Sequence, residues 1–375
     1  MKKQTSIFFA NLDCLRFLCF LSVFFYHSFA TSYTYIIDTD AYHFIKQGIF
    51  GNGNLGVNFF FVLSGFLITY LLLQEKQFNG KINIANFYLR RILRIWPLYF
   101  FCVFFGFVIF PYCKAYFGKT PNETATFIHY LTFTSNFEGI RKGVPDSSIL
   151  GVLWSIAVEE QFYLIWPLLL TIVPHKKYNL LFATILLATF VFRAFNDSYQ
   201  MHEKHTLSCI GDMTIGAWGA YLVQQEKWKQ KIADWKQWQI LIIYFLFAGV
   251  FFFRRELLMG NYYIRIVERS LIAIIILFII LEQNFCNNSL FKMKHIKWAS
   301  NLGIISYGLY CLHFIGILVT TTLTQQFHLN YSFMQVMLLE TSVALLLTIL
   351  ISKLSYAYFE KPFLQLKERF SYITK

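Results

Sequence analysis

The sequence predicts an all-α, polytopic membrane helical bundle of about ten transmembrane helices, with both termini cytoplasmic. Three observations lead there. Of the 375 residues, 57% are hydrophobic and 20% aromatic, against about 45–50% apolar in a soluble domain. The apolar residues fall in runs close to the ~20 residues that a helix needs to cross a bilayer. Lys and Arg gather in short stretches between those runs, on alternating sides.

The expected spans lie near 7–30, 55–74, 93–112, 149–173, 178–194, 206–223, 238–253, 264–282, 301–323 and 333–358. The seventh and eighth are short or interrupted, which suits a tilted or partly re-entrant segment. The first run follows a basic start, Lys2-Lys3. No small-residue cleavage site follows it and Arg16 interrupts it, so it reads as a retained signal anchor rather than a cleaved leader. With the N-terminus inside, about 20 of the 33 Lys and Arg fall in the inner segments, as the positive-inside rule requires.

The formal charge of +13 does not indicate nucleic acid, because no basic block forms a region of its own. The expected environment is membrane lipid. The seven cysteines show no CxxC spacing and mostly sit in apolar runs, so buried thiols are expected. His202-Glu203-Lys204-His205 departs from the HExxH zinc pattern, and no metal site is expected. No linker or low-complexity tract divides the chain, so residues 1–375 read as a single membrane domain.

Polar groups inside apolar runs are expensive and usually face a protein-lined cavity. In the first span Arg16 and His27 stand eleven residues apart. Eleven helical steps give about 16.5 Å of rise and nearly three full turns, so both belong to one stripe. Asp13, at i,i−3 from Arg16, is placed to pair with it. In Gly56–Ile68, Ser64 and Gly65 permit close helix approach. Arg91 and Arg94, at i,i+3 before the third span, serve either as a positive-inside anchor or as a fork for polyphosphate. Glu159 and Glu160 are adjacent carboxylates in the fourth span and point about 100° apart, so one of them faces the cavity. Glu159 beside His27 would orient the ring and raise its basicity. The alternative is a structural carboxylate that caps a helix or pairs with Arg193. Tyr310 and His313 share a face of the ninth span.

Six of these stretches, in order and over nearly the whole chain, resemble the acyltransferase-3 family of integral membrane acyltransferases. Leu12–Arg16 with His27 looks like the family's L-D-x-L-R…H signature with its R-x10-H spacing intact. Gly56–Ile68 is similar to G-V-D-x-F-F-V-x-S-G-F-L-I, and Phe87–Pro97 to F-x-x-R-R-x-x-R-I-x-P. Trp154–Tyr163 is similar to W-S-L-x-V-E-E-Q-F-Y. Ser306–His313 and Tyr356–Phe363 resemble S-Y-x-x-Y-L-x-H and Y-x-x-F-E-x-P-F. Asn58 departs from the pattern, standing where the family often has Asp.

The resemblance implies transfer of an acyl group, commonly acetyl from acetyl-CoA, to a hydroxyl of a surface or lipid-linked saccharide at the outer side of a bacterial inner membrane. Arg91 and Arg94 would hold CoA phosphates, with Arg16 further along the donor's path. His27 would act as base or as acyl carrier, oriented by Glu159. Asp13, Asn58, Glu160, Tyr310 and His313 are supporting candidates. Some members carry an extracytoplasmic hydrolase-like domain, for which the expected spans leave no room. The competing reading is a sugar or lipid transporter, in which buried charges would mark a permeation path. The sequence has no visible inverted repeat, which disfavours it. Acceptor identity and oligomeric state are not legible in the sequence.

Overall fold

The computed structural model describes residues 9–371. Lys2, Lys3 and the first residues of the expected opening span lie outside them. Among the described residues the chain is helical throughout, without a β-strand. Ten principal helices make up the bundle, and each coincides with one expected span. They are α1 (Ala10–His27), α2 (Leu55–Asn79), α3 (Ile84–Tyr116), α4 (Ser148–Ile172) and α5 (His175–Ala194). After them come α6 (Thr206–Leu222), α7 (Gln237–Arg254), α8 (Tyr262–Phe285), α9 (Ser306–Gln326) and α10 (Gln335–Glu368).

Seven of these, all but α1, α6 and α8, are long and apolar enough to cross a membrane. The exceptions have physical reasons. α6 has only 17 residues, α1 holds Asp13 and Arg16, and α8 contains Arg265, Glu268, Arg269 and Glu282. These three carry the polar groups that the others enclose.

The expected boundaries differ most at α3 and α10. The Arg90–Arg94 stretch is not a loop before the third span but part of α3 itself, which starts where the Asn83 side chain accepts from the Asn86 N–H. Interfacial arginines do not interrupt a helix, because their long side chains reach the membrane boundary. α2 ends at Gly80 with φ 74°, a left-handed terminus that glycine adopts without a Cβ penalty. The end of α3 contains a π-helical turn at Phe105–Ile109.

Close approach of α2 and α6 rests on two glycines. A Cβ on Gly65 would stand 1.9 Å from the Met213 carbonyl oxygen, and one on Gly216 would stand 2.0 Å from that of Val62. This is the small-residue contact expected of Ser64-Gly65. α1 is seated in the same way, with Gly303 of the Lys297–Ile304 helix against the Asp13 backbone.

The outer connection between α3 and α4 folds into short helices at Phe127–Leu131 and Ser135–Lys142. Lys114 pairs with Asp146 at 2.5 Å across its base. Partial burial raises the Asp146 carboxyl, but the Lys114 bond outweighs this and leaves it below its usual range. Here and below, inner and outer follow the charge rule, the inner face being that of Lys76, Arg90 and the end of α10.

Candidate active site

Two cavities lie along α1. The inner one, of about 370 Å³, is lined by Asp13, Arg16, Arg91, Arg94, Glu159 and Tyr310, among others, and its mouth includes Lys367 and Glu368. Its volume falls in the ~300–1,000 Å³ range of small-molecule sites. The outer one, of about 360 Å³, is lined by His27, Thr31, Ser148, Phe314 and Gln325, with Phe105 and Phe110 at the π turn of α3.

Arg16 and His27 therefore share one helix but line different cavities, so the single passage expected from their common stripe is divided. The division falls on α9, where Tyr310 lines the inner cavity and Phe314 the outer one. His313 between them is fully buried.

The inner cavity is built from charge that the fold leaves unspent. On α3, Arg90 is consumed structurally, donating to Glu75 at 2.9 Å and to the Phe370 carbonyl at 2.8 Å. Arg91 and Arg94 make no salt bridge among the described residues. Arg91 stacks near Phe87 and Tyr163, at 5.7 and 5.8 Å from the ring centres, and its buried Nε has no partner. Two guanidiniums in a cavity without their own carboxylates suit an anionic ligand with several acceptor oxygens. Arg16 is paired with Asp13 at 2.5 Å, as their spacing predicted.

The two carboxylates of α4 separate as their helix angle requires. Glu159 faces the inner cavity and accepts from the Tyr163 hydroxyl at 3.2 Å; that hydroxyl also bonds Ser64 Oγ. Glu160 turns to α3 and accepts from the Trp96 indole at 2.9 Å.

The expected contact between Glu159 and His27 is not formed. Glu159 lies eleven residues into α4, about 16 Å along it, which brings it to the inner cavity with Arg16 and not to the end of α1. Nor does either glutamate pair with Arg193, which donates to Ser208 and to the Ile266 carbonyl.

At the outer cavity, α1 ends at His27, and Lys46 holds that end. Its Nζ donates to the Tyr26 carbonyl at 2.7 Å and the Ser28 carbonyl at 2.6 Å, a cation on carbonyls that the helix end leaves open. Burial pushes the Lys46 ammonium down to about 8. The nearest rings to His27 are Phe314 at 4.8 Å, Tyr26 at 5.1 Å and His313 at 5.4 Å. Tyr310, a turn below, shares a 2.6 Å hydrogen bond with Ser155 at the top of the inner cavity.

A second polar cluster escaped the sequence reading. Arg254 of α7 bonds Glu203 at 2.7 Å and also Glu268. Arg269 of α8 bonds Asp212 of α6 at 2.7 Å and Glu203 at 3.3 Å. Asn58 of α2 donates to Asp212 at 3.2 Å. Charges in α6 and α8 were the available signal, but their pairing spans 57 residues between Asp212 and Arg269, which no local pattern encodes. No group of three His, Cys, Asp or Glu able to hold a metal occurs among the described residues.

Known proteins resemble the chain over part or most of its length. O-acetyltransferase OatA of Staphylococcus aureus (strain NCTC 8325) is 34% identical over 148 residues, 38% of this chain and 24% of its own length. A protein of S. aureus strain COL named "Putative O-acetyltransferase" is 28% identical over 347 residues, 86% of this chain and 54% of its own. The chain thus spans about a quarter and about half of the lengths of these relatives. No solved structure matches. The family described as acyltransferase domain matches residues 9–357, and with that coverage the chain belongs to the acyltransferase-3 family of integral membrane acyltransferases.

Proposed function

We propose that this chain is a membrane O-acyltransferase of the inner membrane. It moves an acyl group, acetyl in the simplest case, from cytoplasmic acyl-CoA to a hydroxyl of a surface or lipid-linked saccharide at the outer side. The observation that carries this reading is the pair of cavities on either side of α9: Arg91 and Arg94, which make no salt bridge among the described residues, line the inner one, and a histidine among neutral hydroxyls and aromatic rings lines the outer one.

In this reading residues 1–375 act as one domain. Arg91 and Arg94 hold the phosphates of CoA near the inner mouth, and the acyl-bearing arm extends past Arg16 and Glu159 toward Tyr310 and Ser155. Phe105, Phe110 and Phe314 offer apolar faces to a sugar ring, while Thr31, Ser148 and Gln325 offer hydrogen bonds. His27 takes the proton of the acceptor hydroxyl. The two cavities join across α9 between Tyr310 and Phe314 for the reaction: the alkoxide oxygen attacks the thioester carbonyl, the C–S bond breaks, and the proton ends on the CoA thiol. A two-step route through an acyl-imidazole on His27 uses the same groups. Tyr310, which lines the inner cavity beside Ser155, would turn its hydroxyl from that partner to stabilise developing oxyanion charge.

The test uses a strain lacking its own copy, complemented with wild type or His27→Ala. Acetate released by mild alkali from surface glycan, and label transferred from radioactive acetyl-CoA in isolated membranes, are the two readouts. Wild type restores both, and His27→Ala restores neither although the protein accumulates. Full transfer by His27→Ala would remove the mechanism, and no transfer by wild type would remove the reading.

A further inference from the structure

His313 stands where sequence reasoning put Glu159. Its Nδ1 lies 2.7 Å from the Tyr310 carbonyl oxygen. A carbonyl only accepts, so Nδ1 carries the hydrogen, and in a neutral imidazole Nε2 is then a lone-pair acceptor. That Nε2 has no hydrogen-bond partner, and the residue is fully buried. An acceptor buried without a donor is costly and is kept only for a reason.

The surroundings identify the donor. The rings around His313 are Phe314 at 4.5 Å, His27 at 5.4 Å, Tyr310 at 6.0 Å and Phe20 at 6.4 Å. Phenylalanines have nothing to donate, and the Tyr310 hydroxyl is engaged with Ser155 and the Val152 carbonyl. Lys46, the cation nearest the end of α1, is already spent on two carbonyls of that helix end. His27 is the remaining ring with an N–H to give.

We propose that His313 is the positioning residue of His27: its Nε2 accepts the His27 ring N–H once the acceptor is bound. This rests on the acyltransferase reading above. The bond turns the other His27 nitrogen, bearing the lone pair, toward the outer cavity. It also holds the imidazolium that forms when His27 takes the hydroxyl proton. The ring centres are 5.4 Å apart, and the bond closes on substrate binding, as catalytic hydrogen bonds commonly do.

Two variants separate this from a packing role. His313→Asn keeps an amide donor for the Tyr310 carbonyl and removes the acceptor at Nε2. His313→Gln returns an acceptor oxygen near that place. With radioactive acetyl-CoA and the glycan retained in isolated membranes, His313→Asn is expected to lose at least about tenfold in turnover, with KM for acetyl-CoA unchanged. His313→Gln is expected to recover most of that loss. Wild-type turnover in His313→Asn, or a His313→Gln no better than it, overturns the proposal while leaving the acyltransferase reading intact, provided that wild type transfers label. Should His313→Asn fail to accumulate, His313→Ala with added imidazole decides. Restored turnover supports the role, and unrestored turnover overturns it.

Discussion

Asn58 donates its side-chain amide to the Asp212 carboxylate, 3.2 Å away, on the same oxygen that accepts from Arg269. This contact explains the departure of position 58 from the Asp often found in the family segment. Arg269 already has two carboxylate partners, Asp212 on α6 and Glu203. A further carboxylate at 58 would face Asp212 with no additional guanidinium between them. Two such groups keep their charge poorly when buried together, and one of them takes up a proton.

Asn58→Asp is therefore expected to lower the melting temperature of the detergent-purified protein at neutral pH. Adding Asp212→Asn moves that carboxylate from α6 to α2 and is expected to recover at least half of the loss. Melting of the three proteins in one detergent checks this. Equal stability of Asn58→Asp and wild type would show that Asp212 is not the carboxylate paired with Arg269.

The three arginines of α3 are expected to separate by phenotype. Arg91→Ala and Arg94→Ala each remove one charged hydrogen-bonding group, worth about 1.5–3 kcal/mol. That corresponds to a rise of about 10–150-fold in KM for acetyl-CoA, with the amount of protein in the membrane unchanged. Arg90→Ala breaks the bonds to Glu75 and Phe370 instead and is expected to lower stability with KM near wild type. Initial rates over a range of acetyl-CoA concentrations, beside melting curves, distinguish the two patterns.

What the sequence made legible follows its local periodicity. Every expected span coincides with a helix, because a bilayer admits few other solutions for long apolar runs. The i,i+3 pairing of Asp13 with Arg16 and the divergence of Glu159 from Glu160 follow from 3.6 residues per turn. What failed was distance between helices. The expected meeting of Glu159 and His27 needed the relative depth of α4 and α1, which a boundary error of a few residues shifts by several ångströms. The partition at His313 and the Arg254–Glu203–Arg269 network depend on which faces of remote helices turn toward each other. Apolar lipid-facing and core-facing residues look alike in a membrane chain, so no pattern in one span records its neighbour.

Gly65 and Gly216 set the spacing of α2 and α6, and with it the position of Ser64 beside Tyr163 at the inner cavity. A methyl at Gly65 meets backbone, not a movable side chain. Gly65→Ala should destabilise by about 1–3 kcal/mol, as overpacking does, while a control such as the half-buried helical Gly139→Ala, where a Cβ meets nothing within 4 Å, should hold the melting temperature or raise it. A Gly65→Ala protein as stable as wild type would mean that the two helices are not held at backbone contact.

Glu203 gives the outer cluster a pH signature. Burial alone would raise its carboxyl, but Arg254 and Arg269 outweigh this and bring it down to about 2. An unfolded Glu titrates near 4.3, so between these values the unfolded chain binds a proton that the folded one does not. Stability from this group is present above about pH 4.3 and is lost as pH falls toward 2. Glu203→Gln leaves both arginines short of an anion and removes that dependence. The difference in melting temperature between wild type and Glu203→Gln is expected to be constant from pH 8 down to about 5 and to shrink below it. A difference that stayed level to pH 3 would show that Glu203 is not the carboxylate these arginines hold ionised.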